Sequence, residues 1–149
     1  MPEPVTVSVE VARPRQEVFD YVDVLANHEQ WMNHLFKDWW FEGKRRGVGA
    51  KGGAQVDAPA AREKVSFEIV ESTPPERIVE KSESAHGKRE TRGTYRFTEL
   101  EGGGTRIEFE IEWLKTPRTE RIAPFVSRAF MSRANGKGMK RLAALFEKS

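Results

Sequence analysis

Between Thr105 and Trp113 the chain reads TRIEFEIEW, in which Ile107, Phe109, Ile111 and Trp113 alternate with Arg106, Glu108, Glu110 and Glu112. Successive side chains of a strand point to opposite faces, so this run predicts a strand with one apolar and one charged face. Tyr95 and Phe97 alternate in the same way with Thr94, Arg96 and Thr98, and Gly102-Gly103-Gly104 supplies a turn between the two runs. The pair predicts a long antiparallel hairpin, buried on one face and wet on the other.

The same reading extends along the chain. Val5, Val7, Val9 and Val11 alternate with polar residues and predict a first strand. Pro14 suits the opening turn of a helix, and Val18, Phe19, Val22 and Leu25 carry helical spacing to about Leu25. A second short helix is expected over Asn27 to Asn33, capped by Asn27 with Trp31 on its apolar side. Strands are expected at Asp38–Glu42, at Ala50–Val56 and through Val65, Phe67 and Ile69, with Asp57–Ala61 as a loop. Arg77–Ser84, Glu90–Leu100 and Thr105–Lys115 complete seven strands, and one long helix follows from about Thr119 or Pro124.

Six successive strands with short connections predict an antiparallel meander, because parallel pairing needs longer crossovers. Only the last helix is long enough to cover its inner face. The expectation is therefore an α+β fold, a seven-stranded antiparallel curved sheet wrapped on a long C-terminal helix. No repeat or linker interrupts the pattern, so residues 1–149 are expected to form one domain. With Ile122 as phase reference, the inward stripe of that helix runs through Phe125 or Val126, Ala129, Ser132 or Arg133, Gly136, Met139 or Lys140, Ala143 and Phe146. Its middle, Ala129, Ser132 and Gly136, is small, and either sheet side chains fill the gap or a ligand cavity remains.

Composition narrows the chemistry. At 149 residues the chain can bury a core, roughly 70% of its unfolded surface, without staples. It has no cysteine, which excludes disulfides, thiolate metal sites and thiol nucleophiles. With no apparent leader and no apolar run of about 18 residues, a cytoplasmic protein without a membrane span is expected. From Leu114 to Ser149 nine basic residues face two acidic ones, a balance of +7, against −5 for the rest of the chain. A solvated helix face accounts for that, and a docking surface for an acidic partner is the alternative. No nucleic-acid motif accompanies it, so no nucleic-acid partner is expected.

No serine nucleophile elbow, phosphate loop or dinucleotide fingerprint occurs, and no cofactor is expected. His28 and His34 flank Trp31, but their spacing fits no metal motif, and they read as surface or capping residues. Of the four tryptophans, adjacent Trp39 and Trp40 should point to opposite faces.

VSVEVARPRQEVFDYV, Trp31, RRGVGAKG, KVSFEIVESTPPERIVEKSES, GGGTRIEFEIEW and the closing RLAALFEK together resemble the START-like, helix-grip (SRPBCC) superfamily, within it the polyketide cyclase/dehydrase-like group. The resemblance implies a deep pocket between sheet and last helix. It implies a mouth formed by Asp57–Arg62, Ala85–Lys88 and Leu114–Arg118 with the first half of the last helix, and His86 lies in a Gly turn there. Strand alternation then nominates Phe67, Ser82, Thr91, Tyr95, Phe109, Ile111 and Trp113 as lining, joined from the helix by Phe125, Ala129, Ser132 and Gly136. Glu80 is the candidate acid or base if it points inward, since a carboxylate in an apolar pocket has its pKa raised. On the outer face it would instead pair with Arg92 or Arg96. The resemblance implies binding of a lipid, quinone or polyketide-like molecule, as carrier or sensor; a monomer or a homodimer is expected. The alternatives are a cyclase or dehydratase enzyme and an interaction module using the basic helix.

Overall fold

The computed structural model describes residues 1–57 and 63–147. Its elements are β1 (Val5–Val11), α1 (Arg15–Val22), a 3-10 turn at Leu25–His28, α2 (Glu29–Met32), β2 (Phe36–Gly43) and β3 (Ala50–Val56). They continue with β4 (Lys64–Thr73), β5 (Arg77–Ser84), β6 (Arg89–Glu99), β7 (Thr105–Lys115) and α3 (Pro124–Glu147). The strands form one antiparallel sheet in the order β1-β7-β6-β5-β4-β3-β2. This is the helix-grip arrangement, with α3 lying across the concave face.

Two elements differ from expectation. β2 begins at Phe36 rather than Asp38 because a bulge between Lys37 and Trp40 absorbs Asp38, whose φ is 53°. Aspartate tolerates that left-handed conformation better than most residues. The second short helix is a 3-10 turn running into α2, and Asn27 does not cap it. Its side-chain amide donates instead to the Tyr21 carbonyl at 2.9 Å.

The concave face divides into a packed end and an open one. At the packed end Phe19 of α1 meets Phe97 edge to face, over Ile107, while Met139 and Leu142 close in from α3. The helix is tied at several points. Arg13 Nε donates to the Phe146 carbonyl at 3.2 Å, and Arg128 donates to the Glu3 and Pro4 carbonyls at 3.0 and 3.1 Å. Gly138 is where α3 crosses α2, since a Cβ there would lie 2.5 Å from Met32 Sδ. Gly136 has open space instead. Among the described residues, no helix is long and apolar enough to cross a membrane.

Candidate functional site

Register arranges β5, β6 and β7 in rows. Ser82, Thr91 and Trp113 form one row, Glu80, Gly93 and Ile111 the next, and Ile78, Tyr95 and Phe109 the third. The side chains of Glu80, Ser82, Thr91, Tyr95, Phe109, Ile111 and Trp113, continued by Phe67 of β4, wall a cavity of about 520 Å³. Leu25, His28 and Met32 face them from the segment after α1, and Ser127, Met131 and Asn135 from α3. Trp39 and Phe36 join the wall at the β2 edge, with Trp39 stacked 5.6 Å from Phe67.

Gly93 makes room in the middle row. A Cβ there would sit 2.7 Å from Phe109 Cζ and 3.4 Å from Glu80 Cγ, so the missing side chain lets both reach the cavity. Glu80 is only 8% exposed. Burial pushes its carboxyl up to about 7 from an ordinary 4.5. Its partner across the cavity is His28, whose Nδ1 lies 3.7 Å from Glu80 Oε2. His28 Nε2 is 2.8 Å from the Val22 carbonyl. A carbonyl can only accept, so Nε2 carries the proton and Nδ1 presents a lone pair. Burial lowers the His28 pKa to about 4, with the Val22 bond and Asp23 acting the other way. At neutral pH the pair is therefore no ion pair but a neutral imidazole beside a carboxyl that is part protonated. Tyr95, pushed well above 10.0 by burial and by Glu80, completes this polar corner as a neutral phenol.

At the other end, Arg89 Nη1 donates to Glu63 at 2.6 Å and to Ser84 Oγ at 2.8 Å, and Nη2 pairs with Glu120. Burial works against the arginine's charge, yet the bonds to Glu120 and Glu63 more than offset it and hold its pKa above the ordinary value. This ion-pair cluster lashes the segment before α3 to the sheet.

Residues 3–147 match the sequence profile of a family described as polyketide cyclase/dehydrase and lipid transport. The chain belongs to that family. A START superfamily protein from Mycobacterium smegmatis superposes with a TM-score of 0.76 at 13% identity, covering 97% of each chain. A Thermus thermophilus protein gives 0.74 at 16% identity, over 99% of this chain and 100% of its own. A protein from the dynemicin biosynthetic locus gives 0.67 at 18% identity, over 99% of this chain and 48% of its own. At these identities the likeness carries the fold. No curated protein matches the sequence significantly.

Within this polyketide cyclase/dehydrase and lipid transport fold, the sheet side of the expected lining stands around the cavity and the helix side does not. Phe125 is 72% exposed, Ala129 and Ser132 are exposed, and Gly136 lies off the cavity face. The reason is local phase. Ile122 precedes α3 and is itself exposed; the stripe counted from it meets the cavity at Val126 and the core at Met139, Ala143 and Phe146, but its small middle, Ala129, Ser132 and Gly136, turns away from the cavity. From α3 the cavity meets Val126, the alternative to Phe125, together with Ser127, Phe130, Met131 and Asn135. Counting back from Met139 in steps of four gives Asn135 and Met131, a signal the sequence did contain.

His28 is not the surface or capping residue the sequence suggests: it is 3% exposed, with its ring 4.6 Å from that of Trp31. The spacing Leu25, His28, Trp31 places it on a buried face, but so short a helix offers little period to read. His34 Nε2 donates to the Ala134 carbonyl at 2.9 Å, tying α2 to α3. Of the expected mouth, residues 58–62 lie outside the described residues. Ala85–Lys88 with exposed His86, and Leu114–Arg118, do not line the cavity; the adjoining Glu63, Ser84, Arg89 and Glu120 do. Arg92 and Arg96 lie on the convex face, away from Glu80. Trp39 faces the cavity while Trp40 is half exposed.

Proposed function

We propose that the cavity holds a hydrophobic or aromatic small molecule, of lipid, quinone or polyketide-like character, and that the protein serves as its carrier or sensor. One observation carries this reading. A space of about 520 Å³ remains between sheet and α3, walled by aromatic and aliphatic side chains with a few polar groups among them. Cavities of such size and lining suit drug-sized ligands. The family's description, which includes lipid transport, points the same way. Trp39 and Trp113 stand in the wall, so a bound chromophore should quench their emission.

The test is titration of the protein with cis-parinaric acid, menadione and emodin, one fluorescent fatty acid, one quinone and one aromatic polyketide. Saturable binding of at least one, quenching tryptophan emission, is expected. Thr91→Phe, which puts a ring into the cavity from the row of Ser82 and Trp113, should abolish that binding while the far-ultraviolet spectrum stays unchanged. Failure of all three to bind, or undiminished binding by Thr91→Phe, contradicts the reading.

A second reading, a cyclase or dehydratase, is favoured by one feature: the Glu80 carboxyl, held near 7 by burial, faces this space. Such a group can exchange a proton near neutrality. Chemical conversion of a bound compound, lost in Glu80→Gln with binding retained, would mark catalysis in the same titrations.

A further inference from the structure

The polar corner of the cavity has a donor–acceptor pattern that few ligand groups satisfy. His28 Nδ1 can only accept, because Nε2 is committed as donor to the Val22 carbonyl at 2.8 Å. Its ring is held in place between Trp31, centroids 4.6 Å apart, and the edge of Tyr95 at 5.7 Å. Glu80 Oε2 lies 3.7 Å from that nitrogen, too far for a direct hydrogen bond. One oxygen seated beside both atoms reaches each at ordinary hydrogen-bond length. With Glu80 protonated, the corner offers one O–H donor and one nitrogen lone pair side by side.

We propose that His28 and Glu80 form a two-point site for a hydroxyl group on the cavity's ligand, a phenol, enol or alcohol. The hydroxyl donates its proton to His28 Nδ1 and accepts the Glu80 carboxyl hydrogen. An ether or ketone oxygen accepts from Glu80 but leaves Nδ1 without a donor. A hydrocarbon leaves both unpaired, which is the costlier loss in an apolar wall. Burial, which keeps Glu80 protonated up to about 7 and His28 neutral, supports this pattern. It also disfavours an ammonium, which would require an ionised carboxylate. The remaining titratable groups around the pair are Tyr95 of β6, a neutral phenol, and Asp23 beyond His28. Asp23 is already engaged by Arg46 and Ser72. This inference rests on the cavity-binding reading and specifies the ligand's buried end.

The experiment compares 2-naphthol, 2-methoxynaphthalene and 2-(aminomethyl)naphthalene by calorimetric titration at pH 6. The wild-type protein should bind 2-naphthol about tenfold or more tightly than the methyl ether, the scale of one lost hydrogen bond with a stranded partner. His28→Phe, which keeps an aromatic ring against Trp31, should bring the two affinities to within about twofold. Glu80→Met, an apolar replacement of similar length, does the same and remains informative if loss of the bond to Val22 unfolds His28→Phe. Equal affinities in the wild type, discrimination surviving in Glu80→Met, or tighter binding of the amine overturns the hydroxyl site. Binding of none of the three probes overturns it as well. The cavity reading falls with it only if the fatty acid, quinone and polyketide also fail to bind.

Discussion

Glu80 and His28 exchange a proton on folding. In the unfolded chain around pH 5.5 the carboxyl (ordinary pKa 4.5) is ionised and the imidazole (6.5) protonated; in the folded protein, with values of about 7 and about 4, both are neutral. The number of bound protons is the same, so these two groups give stability no slope between pH 4.5 and 6.5. Removing one exposes the other. In Glu80→Gln only the lowered His28 remains, so stability should fall as pH drops from 6.5 through about 4. In His28→Gln only the raised Glu80 remains, and stability should be full below 4.5 and lost as pH rises through about 7. Each limb amounts to about 3 kcal/mol at most. Urea denaturation across this range checks both signs, and parallel profiles for the two variants would contradict the assignment. Glu80 was open to discovery from sequence because alternation along a long strand sets its face once Ile78 is placed. His28 was not, since its partner and burial depend on where the chain returns after α1.

At the scale of elements, α3 shows what sequence periodicity leaves open. Its existence and length followed from the apolar spacing and from Pro124, but its rotation depended on a reference residue, and Ile122 lies outside it. The two glycines make that rotation measurable. Gly136→Ala should raise stability by about 0.5–1 kcal/mol, since open space surrounds the position and alanine favours helix. Gly138→Ala should lower it by about 1–3 kcal/mol, because the new Cβ would meet Met32 Sδ at 2.5 Å. Thermal denaturation of the two variants distinguishes this orientation from one with Gly136 inward, which reverses their order. The segment leading into α3 depends on Arg89, whose partners Glu63, Ser84 and Glu120 come from three separate parts of the chain. Arg89→Met should cost about 1–3 kcal/mol. It should also speed hydrogen exchange in residues 117–124 and release of a bound ligand. Unchanged exchange there would show that the cluster does not hold the segment. Nothing in the sequence singles out Arg89 among its 25 basic residues, because ion-pair partners far apart in the chain leave no periodic trace.

For the whole molecule, the order of β2 to β7 and the concave apolar face were legible because five short connections permit little besides a meander, whereas the pairing of β1 with β7 across the helical connection was not. Whether the face was filled or hollow was not legible, since that turns on volumes contributed jointly by α3, β2 and the segment after α1. The molecule leaves the space unfilled on the side where α3 is least buried. Val126 and Phe130 both line the cavity and are 57% and 46% exposed, and Ile122 and Phe125 beside them are more exposed still. An apolar rim of this kind is where a hydrophobic ligand would enter if the proposed binding holds. The central claim is that a hydrophobic small molecule occupies this space, and native mass spectrometry of protein purified gently from its own host tests it most directly. The account predicts a stoichiometric mass adduct that denaturation releases as an apolar compound and that Thr91→Phe lacks. Protein at its bare sequence mass, or the same adduct on Thr91→Phe, would contradict it.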